Sequence, residues 1–288
     1  MSAVLITGAT GKQGGALIRS LVQRKAPFEI LAKLASLSKS IKLIQGDLDN
    51  PAGIFKNAQR VTKSPIWGVY SVQTAIGNKS EEPQGKALID ESITQNVKFF
   101  IYSSVDRGGE TRSFSNPTKT PHFIKKHNIE QHLLDRAKAA NMDWTILRPV
   151  AFYENLTPDF FGKVFATCFK MALAGKPLQM VATSDIGYFG AQAFLNPEEY
   201  KGRAISLAGD ELTFEGMGLV FEQKVGRPLP LAMRPICSFF MAVMKDMGYM
   251  FKWLREEGYK ADIAALKGIH PEMKDFATWL EAESGFKR

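Results

Sequence analysis

The amino-acid sequence predicts an α/β protein built on a doubly wound parallel sheet, with a smaller, mainly helical C-terminal lobe. Three observations lead to this prediction. A glycine-rich turn near the N-terminus joins an apolar run to a helical pattern, short β-type runs alternate with helical stretches over the first half, and aromatic and Met-rich helical segments follow residue 149. A chain of 288 residues is long for one simple domain and can bury a large core with an appended lobe.

The predicted strands lie at short intervals in the first half of the chain. They span residues 4–6, 28–34, 41–44, 68–72, 97–103 and 144–147, and one more is expected at 204–207. Helical patterns begin at residue 15 and also occupy 84–95 and 129–140. We therefore predict a nucleotide-binding Rossmann domain, and a smaller lobe that binds a substrate or partner. The predicted Rossmann domain comprises residues 1–155 together with 180–212, and the predicted smaller lobe comprises 156–179 and 213–288.

The N-terminal turn is the most informative segment. Gly8, Gly11 and Gly14 have the spacing G-x-x-G-x-x-G and stand between a buried-type strand and a helix. Glycines in this context let the backbone approach a pyrophosphate, whose charge the helix N-terminus stabilises. The flanking strand and helix favour a dinucleotide cradle over a plain glycine-rich turn. We expect the three glycines to contact the cofactor, and also the residues Thr10, Lys12 and Gln13 that lie between them.

The end of the second strand bears on which dinucleotide binds. NAD-selective sites usually place a carboxylate there, whereas a cation accommodates a 2′-phosphate. Lys33 stands at this end and no acidic residue does, so NADP(H) is favoured over NAD(H). The alternative is that Lys33 is only a surface lysine. Asp47 and Leu48, which follow the third strand, are expected beside the adenine.

The formal net charge of +8 is concentrated in residues 1–150. A basic half favours a polyanionic cofactor and would equally favour nucleic acid, while a merely solvated basic face is the third interpretation. The sequence has no recognition helix with clustered arginines, no zinc-finger spacing and no aromatic RNA-binding signature. Nucleic-acid binding is therefore not expected.

Several features bear on compartment and assembly. Cys168 and Cys237 lack metal-ligand spacing and are expected to be reduced core residues, so no structural metal is indicated. The apolar segment 236–254 is interrupted by charges, which favours a core, pocket-wall or dimer-face helix over a membrane span and leaves a homodimer open. Without a basic leader or signal-type stretch, a cytoplasmic location is expected, with a nuclear one as the alternative.

Two serines, Ser103 and Ser104, end the fifth predicted strand, at the sheet edge where doubly wound folds bind ligands. A hydroxyl there could bond a substrate carbonyl or a nicotinamide carboxamide, although serines at strand ends are also ordinary turn formers. We place Ser104 among the candidate catalytic residues. The segment 106–110 that follows is expected to be a flexible loop beside the pocket.

A series of short motifs follows in a fixed order. They are Gly8-Ala-Thr-Gly11-Lys-Gln-Gly14-Gly15, Gln45-Gly46-Asp47, Gln84-Gly85-Lys86, Tyr102-Ser103-Ser104-Val105-Asp106, His122-Phe123 with Lys126, Leu147-Arg148-Pro149 through Glu154-Asn155-Leu156, and Trp279-Leu280. In this combination the chain resembles the NmrA-like family, atypical members of the short-chain dehydrogenase/reductase superfamily. The resemblance implies NADP(H) bound across the Rossmann edge, beneath a smaller C-terminal lobe. Some members resemble reductases, and others resemble redox sensors that bind a regulatory partner protein.

The resemblance also singles out two residues of one predicted helix. The superfamily's typical reductases use Tyr-x-x-x-Lys, in which the phenol donates a proton and the lysine holds the nicotinamide ribose. Lys126 matches the lysine, and ribose binding is the expected role beside the alternatives of general acid and surface residue. His122 stands where the tyrosine is usual. It could be a replacement acid, a pocket residue without chemistry, or a structural residue.

Two function hypotheses follow. In the first, the protein is an oxidoreductase that reduces a small carbonyl, enone or imine-type substrate by hydride transfer from NADPH. Pro149 and Phe152 would then lie against the nicotinamide face, with ordinary core packing as their alternative. In the second, the protein is a non-catalytic NADP(H) sensor that regulates a transcription factor or another partner. Hydrolase and kinase motifs are missing from the sequence.

Overall fold

The computed structural model describes residues 2–32, 41–75 and 77–287. Its strands are β1 (Ser2–Ile6), β2 (Phe28–Ala32), β3 (Ile41–Leu43), β4 (Ile66–Ser71), β5 (Phe99–Ser103), β6 (Asp143–Pro149), β7 (Ala151–Phe152), β8 (Leu178–Val181), β9 (Arg203–Leu207) and β10 (Asp210–Leu212). Its helices are α1 (Lys12–Gln23), α2 (Pro51–Val61), α3 (Glu81–Thr94), α4 (Glu110–Ser113), α5 (Pro121–Ala140), α6 (Phe160–Leu173), α7 (Thr183–Leu195), α8 (Pro197–Tyr200), α9 (Phe214–Val225), α10 (Arg234–Val243), α11 (Lys245–Glu256), α12 (Ile263–Ile269) and α13 (Phe276–Ala282). A 3₁₀ turn covers Tyr153–Asn155.

The large sheet has the strand order β3-β2-β1-β4-β5-β6-β9. Neighbouring strands from β3 to β6 run parallel, and Val4 of β1 lies opposite Ile30 of β2 and Gly68 of β4. Parallel neighbours need long crossovers, and helices lie in the connections from β1 to β2 (α1), β3 to β4 (α2), β4 to β5 (α3) and β5 to β6 (α4 and α5). The winding of the sheet reverses between β1 and β4. The predicted α/β doubly wound sheet of Rossmann type is confirmed.

Some predicted elements differ from the observed ones at their ends. β2 ends at Ala32, and the predicted continuation to residue 34 lies outside the described residues. α5 begins at Pro121, well before the predicted residue 129. Proline suits the first helical position. The segment 121–128 is mostly polar, however, and lacks the apolar periodicity from which a helix is predicted.

Helix α2 has no counterpart among the predicted helices. α2 starts with Pro51 after Asn50, whose side chain accepts the Gly53 N–H at 3.1 Å. This N-cap followed by proline is a recognisable helix start. The apolar segment 236–254, in contrast, is interrupted at Met244, which separates α10 from α11.

The described chain forms two compact units. The first comprises Met1–Ser104, Lys125–Arg148 and Ile186–Ile205, and the second comprises Val105–Ile124, Pro149–Asp185 and Ser206–Arg288.

The core of the first unit is built from strands that are buried along their length. Leu5, Val69 and Phe100 from three adjacent strands pack with Leu88 of α3 and Ile129 of α5. Strands covered on both faces read as continuous apolar runs, which is why the sequence indicated them clearly. Each fully buried side chain of this kind contributes about 1.5–3 kcal/mol.

The second unit contains a small three-stranded sheet in the order β10-β8-β7. Its core includes Tyr153, which stacks on Trp279 with ring centroids 5.4 Å apart and lies 5.7 Å from Phe276. Cys168 and Cys237 are free, buried thiols, and burial raises the pKa of Cys168 to about 12.

The segment 106–110, predicted as a flexible loop, is instead tied down within the second unit. Asp106 is fully buried, and its carboxylate accepts the Gly109 N–H at 2.9 Å, the Ser206 hydroxyl at 2.6 Å and the Lys260 N–H at 3.0 Å. Arg107 is also fully buried. The expectation failed because a polar sequence can be ordered when every charge finds a partner.

Across the ranges given above, no helix combines the length and apolar character needed to cross a bilayer.

Candidate functional site

The glycine turn follows β1 and is shaped by contacts that exclude side chains. Gly8 has φ +60°, a left-handed conformation that favours glycine, and a methyl there would lie 2.7 Å from Val72 Cγ1. A methyl on Gly14 would lie 2.4 Å from the Gly8 carbonyl oxygen and 2.7 Å from that of Thr7. The helix therefore approaches the turn at backbone distance, as a dinucleotide cradle requires.

Thr7 joins the turn to the neighbouring strand. Its hydroxyl donates to the Tyr70 carbonyl at 3.1 Å and accepts the Val72 N–H at 2.8 Å. These bonds connect the carboxyl ends of β1 and β4, between which the winding of the sheet reverses. Ligands of doubly wound folds bind outside the strands at such a switch point.

The N-terminus of α1 suits an anion. Gly11 is its N-cap, no side chain caps the helix, and the first turn carries no acidic residue. Thr10, Gly11 and Lys12 are exposed. N–H groups at a helix start, together with the helix dipole, stabilise a pyrophosphate. The turn and helix start thus fit the phosphate part of a dinucleotide.

A cleft of about 120 Å³ continues from the turn, lined by Gly8, Thr10, Ala32, Gly46 and Leu48 among others. The predicted adenine contact Leu48 is therefore beside the glycine turn. Asp47 is exposed, is not part of the cleft lining, and accepts the Asp49 N–H at 3.0 Å. Lys33, the predicted 2′-phosphate contact, lies outside the described residues.

Gln13 connects α1 to the ends of two strands. Its side-chain oxygen accepts the Ser103 hydroxyl at 2.5 Å and the Tyr70 hydroxyl at 3.3 Å. Burial raises the pKa of Tyr70 far above its usual range, despite the opposing hydrogen bond with Ser103, so this phenol is a neutral donor. Ser104, the predicted catalytic serine, is buried, and its N–H donates to the Leu147 carbonyl at 2.7 Å.

Lys126 is buried in the first unit, only 6% exposed. Its ammonium lies 3.1 Å from Glu81 Oε1, donates to the Ser103 carbonyl at 3.4 Å and stands 5.7 Å from the centre of the Tyr102 ring. A carboxylate, a carbonyl and the negative face of an aromatic ring all stabilise an ammonium. Lys126 is thus not a surface residue, the third interpretation of its motif.

Glu81 was missed by reasoning from the sequence. It is the first residue of α3 and is completely buried, whereas Glu82 beside it is part-exposed and pairs with Lys86 at 2.6 Å. Acidic residues are common in a first helical turn because they complement the helix dipole. Because that explanation applies equally to Glu81 and Glu82, the sequence gives no sign that Glu81 is the one that is buried.

His122 belongs to the second unit, where Asp246 of α11 holds it. Asp246 Oδ1 lies 3.1 Å from His122 Nδ1 and accepts the His122 backbone N–H, also at 3.1 Å. The carboxylate therefore orients the imidazole and caps the start of α5 at once. Asp246 too was missed, since it appears in the sequence only as a charge interrupting an apolar segment.

Pro149 and Phe152 also belong to the second unit. Pro149 ends β6, and its carbonyl accepts the Asp106 N–H at 3.2 Å. Phe152 lies in β7, opposite Val181 of β8, and is half-buried. Arg148, directly before Pro149, is fully buried and donates two hydrogen bonds to Glu130, at 3.1 and 2.8 Å. That arginine is therefore structural.

Within the described ranges, no group of three or more His, Cys, Asp or Glu side chains could hold a metal ion.

Comparisons with known proteins agree with this architecture. The NmrA-like oxidoreductase FrzB of Cladobotryum sp is 23% identical over 252 residues, which cover 78% of this chain and 74% of FrzB. The NAD(P)H azoreductase of Xenophilus azovorans is 22% identical over 233 residues, covering 78% and 75%. The NADPH complex of the Escherichia coli quinone oxidoreductase QOR2 superposes with a TM-score of 0.72 at 17% identity, covering 96% and 98% of the two chains. Residues 1–281 match the sequence profile of the NmrA-like family. The chain therefore belongs to the NmrA-like family.

Proposed function

We propose that this protein is an NADP(H)-dependent oxidoreductase that reduces a small carbonyl, enone or imine-type substrate. The observation that carries the proposal is the buried ammonium of Lys126, which Glu81 holds 3.1 Å away in the unit that contains the glycine turn. A lysine at this point of the superfamily's motif holds the nicotinamide ribose. The azoreductase and quinone oxidoreductase to which the chain is similar carry names that also indicate reduction with a nicotinamide cofactor.

The residues of the turn would hold the cofactor's phosphates. Backbone N–H groups from Lys12 to Gly14 would meet the pyrophosphate, and Leu48 would lie beside the adenine. Lys33 would meet the 2′-phosphate, which favours NADP(H) over NAD(H). The positive net charge of the chain, +8, acts in the same direction.

The side chains have distinct proposed roles. When bound, the reduced nicotinamide supplies a hydride, so the acceptor also needs one proton. Lys126 would donate hydrogen bonds to the ribose hydroxyls, and the Ser104 hydroxyl would orient the acceptor. His122 is the proposed source of the proton, because Asp246 orients its ring. Lys126 and a water molecule are the alternative sources, and Pro149 and Phe152 would contact the nicotinamide face.

A second candidate function is that of a redox sensor regulating another protein. The observation in its favour is a set of exposed apolar side chains in the second unit: Phe239 (70% exposed) and Val243 of α10, and Met233 at the N-cap of that helix. Exposed apolar side chains in proximity often mark protein-binding surfaces. The missing tyrosine of the superfamily's motif fits a protein that binds NADP(H) without using it.

Turnover separates the two functions. Consumption of NADPH is measured with quinones, enones, imines and azo compounds, and affinity for NADPH and NADH is measured by titration. We expect turnover of at least one compound, and tighter binding of NADPH than of NADH. Tight NADPH binding without turnover of any compound would contradict the reductase. A partner captured only with NADP⁺ or only with NADPH would then support the sensor.

A pair of neighbouring lysines tests the site itself. Lys126→Met should weaken NADPH binding by about 10–100-fold, because a hydrogen bond to a charged group is worth about 1.5–3 kcal/mol. Lys125→Met is the matched control, since Lys125 lies on the same helix and donates to the Asn78 carbonyl at 2.7 Å. The control should bind NADPH like wild type, and equal effects of the two variants would contradict the assignment of Lys126.

A further inference from the structure

Glu81 is a carboxylate in an unusual position. Its side chain has no exposed surface, although glutamate is almost never fully buried unless it is paired. The helix start does not explain this burial, because Glu82 can complement the helix dipole from a part-exposed position. Burying Glu81 must therefore be offset by a specific interaction.

That interaction is with Lys126. The two charges are 3.1 Å apart, and both side chains are removed from water, at 0% and 8% side-chain exposure. The pair joins the start of α3 to α5, beside the last residue of β5, whose carbonyl lies 3.4 Å from the same ammonium. The attraction between two buried charges offsets the free-energy cost of their desolvation only when the two groups are held in a well-defined geometry.

Holding the ammonium in one place has a consequence for a ligand. A lysine side chain is flexible, and fixing it costs about 2 kcal/mol of rotamer entropy. If that entropy is already lost in the free protein, a ligand hydroxyl meets a preorganised donor. An ammonium has three N–H donors. The Ser103 carbonyl accepts from the Lys126 ammonium at 3.4 Å, and Glu81 attracts the same ammonium as an ion pair at 3.1 Å, so the ammonium can also donate to a ligand hydroxyl.

We propose that Glu81 is a positioning residue for the cofactor, acting through Lys126. Its carboxylate holds the ammonium at the carboxyl end of β5 and directs one N–H to the nicotinamide ribose. This role rests on the proposed function, because it presupposes that NADPH binds at Lys126. A buried ion pair that only stabilises the fold is the competing explanation.

A double-mutant cycle on NADPH affinity distinguishes the two. Four proteins are titrated with NADPH: wild type, Glu81→Gln, Lys126→Met and the double variant. Glu81→Gln should weaken binding about tenfold in the wild-type background. In the Lys126→Met background the same substitution should change affinity less than about twofold, because the residue through which Glu81 acts is gone. Glu82→Gln, the adjacent part-exposed carboxylate, is the matched control and should bind like wild type.

Two further measurements keep the outcome unambiguous. Thermal unfolding of each variant checks that the fold is intact, and Glu81→Asp, which keeps the charge but is one methylene shorter, should give an affinity between those of wild type and Glu81→Gln. If Glu81→Gln does not fold, Glu81→Asp takes its place in the cycle. Effects of Glu81 and Lys126 that simply multiply, or a Glu81 variant that binds like the Glu82 control, would overturn the positioning role. Failure of the wild-type protein to bind NADPH would instead refute the proposed function, and the positioning role with it.

Discussion

At the scale of single residues, Gly14 shows how little freedom the cofactor cradle has. The atoms nearest to a methyl at this position are backbone atoms of Thr7 and Gly8, which cannot rotate away as a side chain could. The close approach of α1 to the turn therefore depends on the missing side chain. The glycine spacing was visible in the sequence, and the contact that makes it necessary was not.

We predict that Gly14→Ala lowers the free energy of unfolding by about 1–3 kcal/mol, as overpacking does, and weakens NADPH binding. Urea unfolding and NADPH titration measure the two effects. Gly218→Ala in α9 is the control, because nothing lies within 4 Å of a methyl there. That control should be unchanged or up to about 1 kcal/mol more stable. A Gly14 variant as stable as wild type would mean that the turn can relax.

The contact between His122 and Asp246 gives a second prediction at this scale. If the oriented imidazole supplies the proton, Asp246→Asn should lower kcat about tenfold or more with little change in the KM for NADPH, since a bond to a charged acceptor is lost. Steady-state kinetics measure both constants. Asp135→Asn, an exposed carboxylate on α5, should behave like wild type. Unchanged kcat in Asp246→Asn would assign His122 to the pocket wall or to structure.

At the scale of elements, helix ends illustrate how local sequence and charge act together. Asp275 caps α13, and its carboxylate accepts the Thr278 N–H at 2.8 Å. Partial burial raises the pKa of Asp275, but the bonds from Thr278 and the charges of nearby lysines outweigh it and hold the pKa below the usual 3.8. A carboxyl with a lowered pKa stabilises the fold above its unfolded-state pKa, and this contribution is lost as the pH falls below it.

We therefore expect Asp275→Ala to lower the free energy of unfolding by about 1 kcal/mol at pH 7, the usual value of an N-cap. The difference from wild type should shrink as the pH falls below 3.8, where the cap of the wild-type protein becomes protonated. Denaturant unfolding at neutral and acidic pH measures this. Glu272→Ala, an exposed carboxylate nearby, should change stability by less than about 0.5 kcal/mol. A difference independent of pH would show that the charge of Asp275 does not matter.

At the scale of the whole molecule, the net charge of +8 predicts how cofactor affinity depends on salt. Salt screens the attraction between a basic protein and an anionic ligand. Raising the salt from about 0.05 M to about 0.5 M should weaken NADPH binding about fivefold or more, and NADH binding by less, because NADH has one phosphate fewer. Titrations at several salt concentrations measure both slopes. Equal slopes would indicate that the 2′-phosphate does not meet a cation, and would count against Lys33.

The segments of the two units alternate along the sequence, which limits how far the organisation of the chain could be predicted. Each unit is assembled from three separate segments, and the second takes residues 105–124 from between two segments of the first. Strand and helix types can be inferred from apolar periodicity, which is local, whereas grouping of distant segments depends on contacts that leave no local pattern. The predicted division at residues 155, 180 and 212 stays a prediction.

The sequence by itself determined the parallel α/β fold, the glycine cradle and membership of the NmrA-like family, because continuous apolar strands and a fixed glycine spacing are local patterns. Only the tertiary structure decided which polar residues meet. Glu81 joins Lys126, Asp246 joins His122, and Gln13 joins Ser103, across separations of 45, 124 and 90 residues. The physical reason is that a buried polar or charged group is brought to a distant partner only when the whole chain folds. The residues next to it in the sequence do not show which side chain will be removed from water.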